Sequence, residues 1–238
     1  MCVAIYKPAG VETPSLDTLK QCWEANPDGA GFAMLTGGEK HAIEIHKGYM
    51  TWKQFVTAYE KYHLADFTGD LLLHFRIATH GGISPGLTHP FSLTRDVKLL
   101  KHTNVRTNYA LIHNGMLPIE SDEGSDTMEF CRRLVPFYQN IPSAFNLIEG
   151  MAGNNKIAVM TRDKVHLFGE WERLNGVYFS NLLWDWRFDD FMDFSETDYR
   201  ILEMGYCPYC EAPVKHNTAG YFCSDCELEW PVRQLFIS

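Results

Sequence analysis

Cys2-Val3-Ala4-Ile5-Tyr6, directly behind Met1 and closed by Lys7-Pro8-Ala9-Gly10, is a short apolar run with strand character and a thiol at its first position. Methionine aminopeptidase can remove an initiator Met when the next side chain is as small as cysteine. What remains carries a thiol and an α-amine on one residue. A thiol of pKa about 8.5 and an amine of about 8 are matched for proton transfer near neutrality, so the residue can act as nucleophile and base together. The structural alternative is a cysteine packed as a small core hydrophobe.

Outward from that strand, Ser15 reads as the cap of a helix over 16–25 that stops at Asn26-Pro27. Strands over 31–35 and 41–46 flank a Gly37-Gly38 turn, and 50–64 has helical spacing. A strand over 70–78 runs into Thr79-His80-Gly81-Gly82, and after a loop rich in Gly, Pro and Ser a strand over 108–113 meets Asn114-Gly115. Helices over 126–135 and 143–151 precede strands over 156–161, 165–169 and 177–180. Strands early, helices between and strands late fit a sheet-on-sheet core covered by helices. The composition shifts between about residues 190 and 205, where a cysteine-bearing tail begins.

The 238 residues suffice for one substantial domain with a small appendage, and 45% hydrophobic residues supply its core. A net charge of −9 argues against a surface that coats nucleic acid or anionic lipid, since both require clustered cations. The start lacks the basic and apolar regions of a signal peptide, and no apolar run reaches the roughly 18–20 residues of a membrane span. Seven cysteines, an odd number with four clustered near the end, suit a reducing compartment. The expectation is a cytoplasmic protein without membrane contact.

Several segments carry chemistry in combination. Asn26-Pro27-Asp28-Gly29-Ala30-Gly31-Phe32 is a glycine-rich turn. In His74-Phe75-Arg76-Ile77-Ala78-Thr79-His80, an arginine ends an apolar strand and needs an anionic partner, either a substrate carboxylate held by both prongs or a protein Asp or Glu. In Ala110-Leu111-Ile112-His113-Asn114-Gly115, a side-chain amide and a glycine N–H at a strand end suit an oxyanion hole, although Asn-Gly is also a common turn. Ser125-Asp126-Thr127 opens a helix, with Ser125 as its cap. Cys22 and Cys131 on helical faces, and His74 and His113 within strands, read as packed side chains; His89, before Pro90, reads as a turn residue.

From Cys2 to about Asn181, including Gly169-Glu170-Trp171 and Gly176-Val177-Tyr178-Phe179-Ser180-Asn181, the order and spacing of these segments resemble the glutaminase domain of class II glutamine amidotransferases. The resemblance implies an α+β fold, a four-layer αββα sandwich of the N-terminal-nucleophile hydrolase type, over 1–200. It assigns Cys2 as the nucleophile, with Asn114 through its amide and Gly115 through its N–H as oxyanion donors. Arg76 falls to the substrate α-carboxylate, Asp126 to the α-ammonium, and Thr79 and His80 to the lining of the same site. Ile77 stands where relatives often have Trp or Tyr, and Leu87 where they often have Asn two residues before His-Pro. The substrate mouth therefore leaves room for a γ-glutamyl compound other than free glutamine.

Cys207-Pro208-Tyr209-Cys210 and Cys223-Ser224-Asp225-Cys226 are two knuckles twelve residues apart. Four thiolates at that spacing close a tetrahedral structural zinc site. The tail over 201–238 resembles a zinc ribbon, and its acidic Glu211, Asp225, Glu227 and Glu229 disfavour phosphate tracking, so nucleic acid is not an expected partner. No organic cofactor is expected. After Asn181 too few residues remain for an acceptor domain. The first functional expectation is thus a glutaminase that passes ammonia to a separate synthetase or ligase. A free-standing γ-glutamyl amidase or peptidase, and an inactive zinc-ribbon interaction protein, are the alternatives.

Overall fold

The computed structural model describes residues 2–37, 42–78, 82–119, 121, 124–135, 141–182, 184, 196–207, 212–216, 220–224 and 228–231. The chain divides into two compact units, Met1–Trp184 and Asp185–Ser238. In the first unit the order is β1 Val3–Lys7, α1 Leu16–Ala25, β2 Ala30–Leu35, β3 Ile43–Tyr49, α2 Trp52–Lys61, β4 Leu71–Phe75, β5 Phe91–Ser92, α3 Val97–Lys101, β6 Asn104–Thr107, β7 Ala110–Asn114, α4 Asp126–Leu134, α5 Ile141–Ala152, β8 Lys156–Met160, β9 Val165–Phe168, β10 Glu172–Leu174 and β11 Val177–Phe179.

The architecture is mixed α+β with antiparallel sheets. One sheet has the order β10-β11-β1-β4-β2-β3-β6 and the other β5-β7-β8-β9. The central strands are buried on both faces, which is why they read as near-continuous apolar runs rather than alternating ones. Alternation survives as a division by core. Val3 and Ile5 of β1, Phe32 and Met34 of β2, and Leu71, Leu73 and Phe75 of β4 share a core with Leu19 and Trp23 of α1 and Phe55 and Tyr59 of α2. The residues between them, Ala4, Ala33 and Leu72, meet Ala110 and Ile112 of β7 and Ala158 and Met160 of β8. Leu111, Ile157 and Val159, on the far side of the second sheet, pack with Phe130 and Cys131 of α4 and Ile148 of α5. Helices, sheet, sheet and helices are thus joined by three apolar cores, with alanine recurring where the two sheets meet.

Local rules set the ends of the elements. Ser15 caps α1 by accepting from Thr18 N at 3.2 Å. Thr51 and Gln54 form a capping box at α2, and Ser125 accepts from Met128 N at the start of α4. The helix expected over 50–64 stops at Lys61, because His63 adopts a left-handed conformation before one 3-10 turn. The strand expected over 70–78 leaves the ladder after Phe75. There Arg76 N donates to Gly29 O at 2.8 Å and Arg76 O accepts from Asp28 N at 2.9 Å, tying the arginine to the glycine-rich turn. The stretch read as a loop before residue 108 contains β5, α3 and β6. β6 is polar and half-exposed, as suits an edge strand, and pairs with β3.

In the second unit α6 Glu196–Glu203 precedes β12 Lys215–His216, β13 Gly220–Cys223 and β14 Leu228–Pro231, which form a three-stranded antiparallel sheet. Leu202, Cys207 and Cys223 are buried together in its small core. Among the described residues no helix is long and apolar enough to cross a membrane.

Candidate active site

β1 and β4 run antiparallel with Val3 opposite Phe75, so Cys2 and Arg76 emerge side by side from adjacent strand ends. β7 lies across both strands from the second sheet and delivers Asn114-Gly115 to the same end. Ser180 fastens this corner: its Oγ accepts from Ala4 N and from Asn114 Nδ2, each at 2.9 Å, and its N–H donates to Ala4 O at 2.8 Å. Asn181 Nδ2 donates to Cys2 O at 2.9 Å. Two strands from different sheets are thereby held by one hydroxyl.

A cavity of about 450 Å³ opens here, and Cys2, Arg76, Gly115 and Asp126 all line it. The Cys2 thiol is half-buried and lies 3.4 Å from both the N–H and the carbonyl of Ile77. Burial pushes the thiol up from its ordinary value, against the opposing pull of the Ile77 backbone and the Arg76 guanidinium. Arg76 is itself buried, which lowers its pKa, while Cys2 and Asp28 act to raise it. Asp28 is a protein carboxylate within electrostatic range of Arg76, and its Oδ2 accepts from Ala78 N at 2.8 Å.

Gly115 has φ of +139°, and a Cβ there would collide with the side-chain amide of Asn155. Asn155 is fixed in turn: its Nδ2 donates to Ala152 O, and its Oδ1 lies 2.9 Å from His113 Nε2. Asp126 is equally constrained. Its Oδ2 accepts from Leu117 N at 2.8 Å and its Oδ1 from Thr127 N at 2.7 Å and Thr127 Oγ1 at 3.2 Å. A carboxylate held by three donors presents its charge in a set position without needing to reorganise.

His89 and His113 also line the cavity. His74 Nε2 is 3.0 Å from the His113 carbonyl, which can only accept, and 2.8 Å from His89 Nδ1. His74 therefore carries its proton on Nε2, and His89 accepts at Nδ1. Burial holds all three imidazoles below their ordinary values, with His74 pushed down to about 3.

Of the residues singled out in the sequence, Cys2, Arg76, Gly115 and Asp126 converge on the cavity, and Asn114 is buried beside it against Ser180. Thr79 and His80 lie outside the described residues. In the tail Cys207 and Cys223 are described, whereas Cys210 and Cys226 lie outside the described residues. Ser180 and Asn155 received no role from sequence, while His89 was read only as a turn residue and Thr127 only as part of a helix start. Ser180 stands within the quoted 176–181 stretch, but nothing in Gly153-Asn154-Asn155 separates that asparagine from an ordinary turn residue.

No protein-family model matches the chain, and no curated protein matches it. Among solved structures, the glutamine phosphoribosylpyrophosphate amidotransferase from B. subtilis complexed with ADP and GMP matches at 17% identity and a TM-score of 0.47, over 75% of this chain and 41% of that one. A structure of the allosteric regulatory enzyme of purine biosynthesis matches at 18% identity and a TM-score of 0.49, with the same coverage of 75% and 41%. The chain thus spans about 41% of the length of these two solved structures.

Proposed function

We propose that this chain hydrolyses the side-chain amide of glutamine through a thioester on Cys2 and releases ammonia to a separate acceptor, a synthetase or ligase. The observation that carries this reading is the single cavity whose wall holds a thiol, a guanidinium, a fixed carboxylate and a positive-φ glycine, drawn from the ends of β1, β4 and β7 and the start of α4. The layer order of the first unit fits the four-layer sandwich of N-terminal-nucleophile hydrolases.

In this reading Arg76 takes the α-carboxylate in bidentate fashion and Asp126 takes the α-ammonium. The amide carbonyl then faces Sγ of Cys2, with Thr79 and His80 completing the wall. Because burial raises the thiol pKa, attack requires a base. His89 and His113 are weakened as acceptors by their lowered values, so the α-amine of Cys2, exposed by loss of Met1, takes the proton. Sγ bonds to the amide carbon, and Asn114 Nδ2 and Gly115 N–H stabilise the oxyanion. The C–N bond breaks as nitrogen receives the proton, and water cleaves the thioester to glutamate. Thiol, amine and water suffice, so no organic cofactor enters.

For the tail we propose a structural zinc held by Cys207, Cys210, Cys223 and Cys226. Cys207 and Cys223 are 16 residues apart yet wholly buried in one small core, an arrangement that suits a metal cross-link. Such a metal joins the two knuckles and takes no part in hydrolysis. A cytoplasmic setting keeps these thiols reduced.

A preparation carrying a cleavable extension ahead of Cys2 tests the reading. It should be silent until a protease exposes the α-amine, and then hydrolyse glutamine and take one equivalent of a glutamine-like diazo-ketone on Cys2. Full activity with the extension in place would exclude the α-amine as base, and labelling mainly at Cys22 or Cys131 would exclude Cys2 as nucleophile.

A further inference from the structure

The same cavity has a second character. Ile77, Leu87, Met116, Leu117 and Ile119 line it beside the polar groups. Leu87, Leu117 and Ile119 are largely buried and rest on the core beneath α4, so they form a firm wall. Met116, next to Gly115, is 68% exposed, although it is a large apolar side chain. A single exposed methionine on a surface needs no explanation. One that continues an apolar wall inside a cavity presents an adaptable thioether to whatever enters. A volume of about 450 Å³ also lies within the range, about 300–1,000 Å³, that encloses drug-sized ligands, and glutamine is much smaller than that.

We infer that the cavity takes a γ-glutamyl amide whose amine carries an apolar group, and that the wall built by Leu87, Met116, Leu117 and Ile119 receives that group. This rests on the Cys2 thioester chemistry and the substrate contacts given under Proposed function, with an amine in place of ammonia as the leaving group. The position of the extension follows from chemistry. The α-carboxylate is committed to Arg76, the α-ammonium to Asp126 and the carbonyl oxygen to the oxyanion donors, so the amide nitrogen is the only end of glutamine left to bear a substituent. Attack by Sγ then forms the γ-glutamyl thioester. The C–N bond breaks, the amine departs with the thiol's proton, and water releases glutamate. The products are glutamate and an apolar primary amine, without any change of oxidation state.

The test compares kcat/KM for L-glutamine, γ-L-glutamyl-methylamide and γ-L-glutamyl-isobutylamide on the full chain with Cys2 exposed. The two alkylamines are similar leaving groups, so their ratio reads the wall. One methylene seated in an apolar pocket discriminates by about 10–200-fold. Isobutyl carries three more carbons than methyl, so seating even one of them makes the isobutylamide exceed the methylamide by at least about tenfold. M116S, at an exposed position, should reduce that ratio several-fold, and L87N should reduce it further if the variant remains folded. A ratio near one, or glutamine as the best substrate, overturns this inference while leaving glutamine hydrolysis at Cys2 intact. Failure to hydrolyse any γ-glutamyl compound overturns both.

Discussion

Replacing Gly115 by alanine separates a backbone oxyanion donor from an ordinary turn. The substitution places a Cβ against the Asn155 carboxamide, with Cγ of Asn155 at 2.8 Å and its Cα at 3.2 Å. Asn155 cannot swing away cheaply, because its amide also bonds Ala152 O and faces His113 Nε2. The positive φ costs an L-residue about 1–3 kcal/mol, and overpacking adds about 1–3 kcal/mol. Together these total about 2–6 kcal/mol against a typical stability of about 5–15 kcal/mol, so the variant should fold at reduced temperature with a lowered melting point. The strand end must shift to admit the methyl group, and the N–H leaves the position where the oxyanion forms. Loss of one such donor costs about 10²–10³ in kcat. Because the oxyanion exists only in the transition state, KM for glutamine should change little. The assay is glutamate release at saturating and limiting glutamine, on protein whose folding is verified by far-UV circular dichroism. A folded G115A enzyme with kcat within threefold of the parent would refute the oxyanion role of this N–H.

R76K keeps the charge but loses the planar fork, and should raise KM for glutamine by about 10–100-fold; unchanged KM would show that Arg76 pairs with Asp28 instead of substrate. Below its unfolded value of 6.5, His74 gains a proton in the unfolded chain but not in the folded one, where its pKa is about 3. Its stabilisation is therefore full above about pH 6.5 and is lost as pH falls toward 3, by about 2 kcal/mol between pH 7 and pH 5. His89 and His113 act in the same direction. Urea midpoints at the two pH values measure this, and an unchanged midpoint would contradict the burial of this cluster. Elemental analysis of protein purified without chelator should find about one zinc per chain, and Cys207→Ser should lower that content and loosen the tail while sparing glutamine hydrolysis; zinc-free native protein would rule out the metal.

The patterns that depend on neighbours in sequence were legible in the chain itself. Ser15 and Ser125 announce helix starts because a cap bonds an N–H three residues ahead. Cys2, Arg76, Asn114, Gly115 and Asp126 stood out only in combination, through the order and spacing of the segments that carry them. The strand over 70–78 was overextended because apolar character continues past Phe75, whereas the backbone turns away to meet Asp28 and Gly29, some 47 residues distant.

Convergence was a property of tertiary structure alone. The bonds that set the site join residues far apart in sequence: Asn114 to Ser180, Ala4 to Ser180, Cys2 to Ile77 and to Asn181. Asn155 supports Gly115 from another strand's approach, and His74 fixes the proton of His89 across two elements. No local pattern encodes such pairs, because each residue taken singly satisfies an ordinary turn or core role. The same holds for the apolar wall: Leu87 was marked in the sequence only as a departure at the substrate mouth and Leu117 carried no reading, yet both line one cavity at the end where β7 crosses β1 and β4 and the thiol emerges.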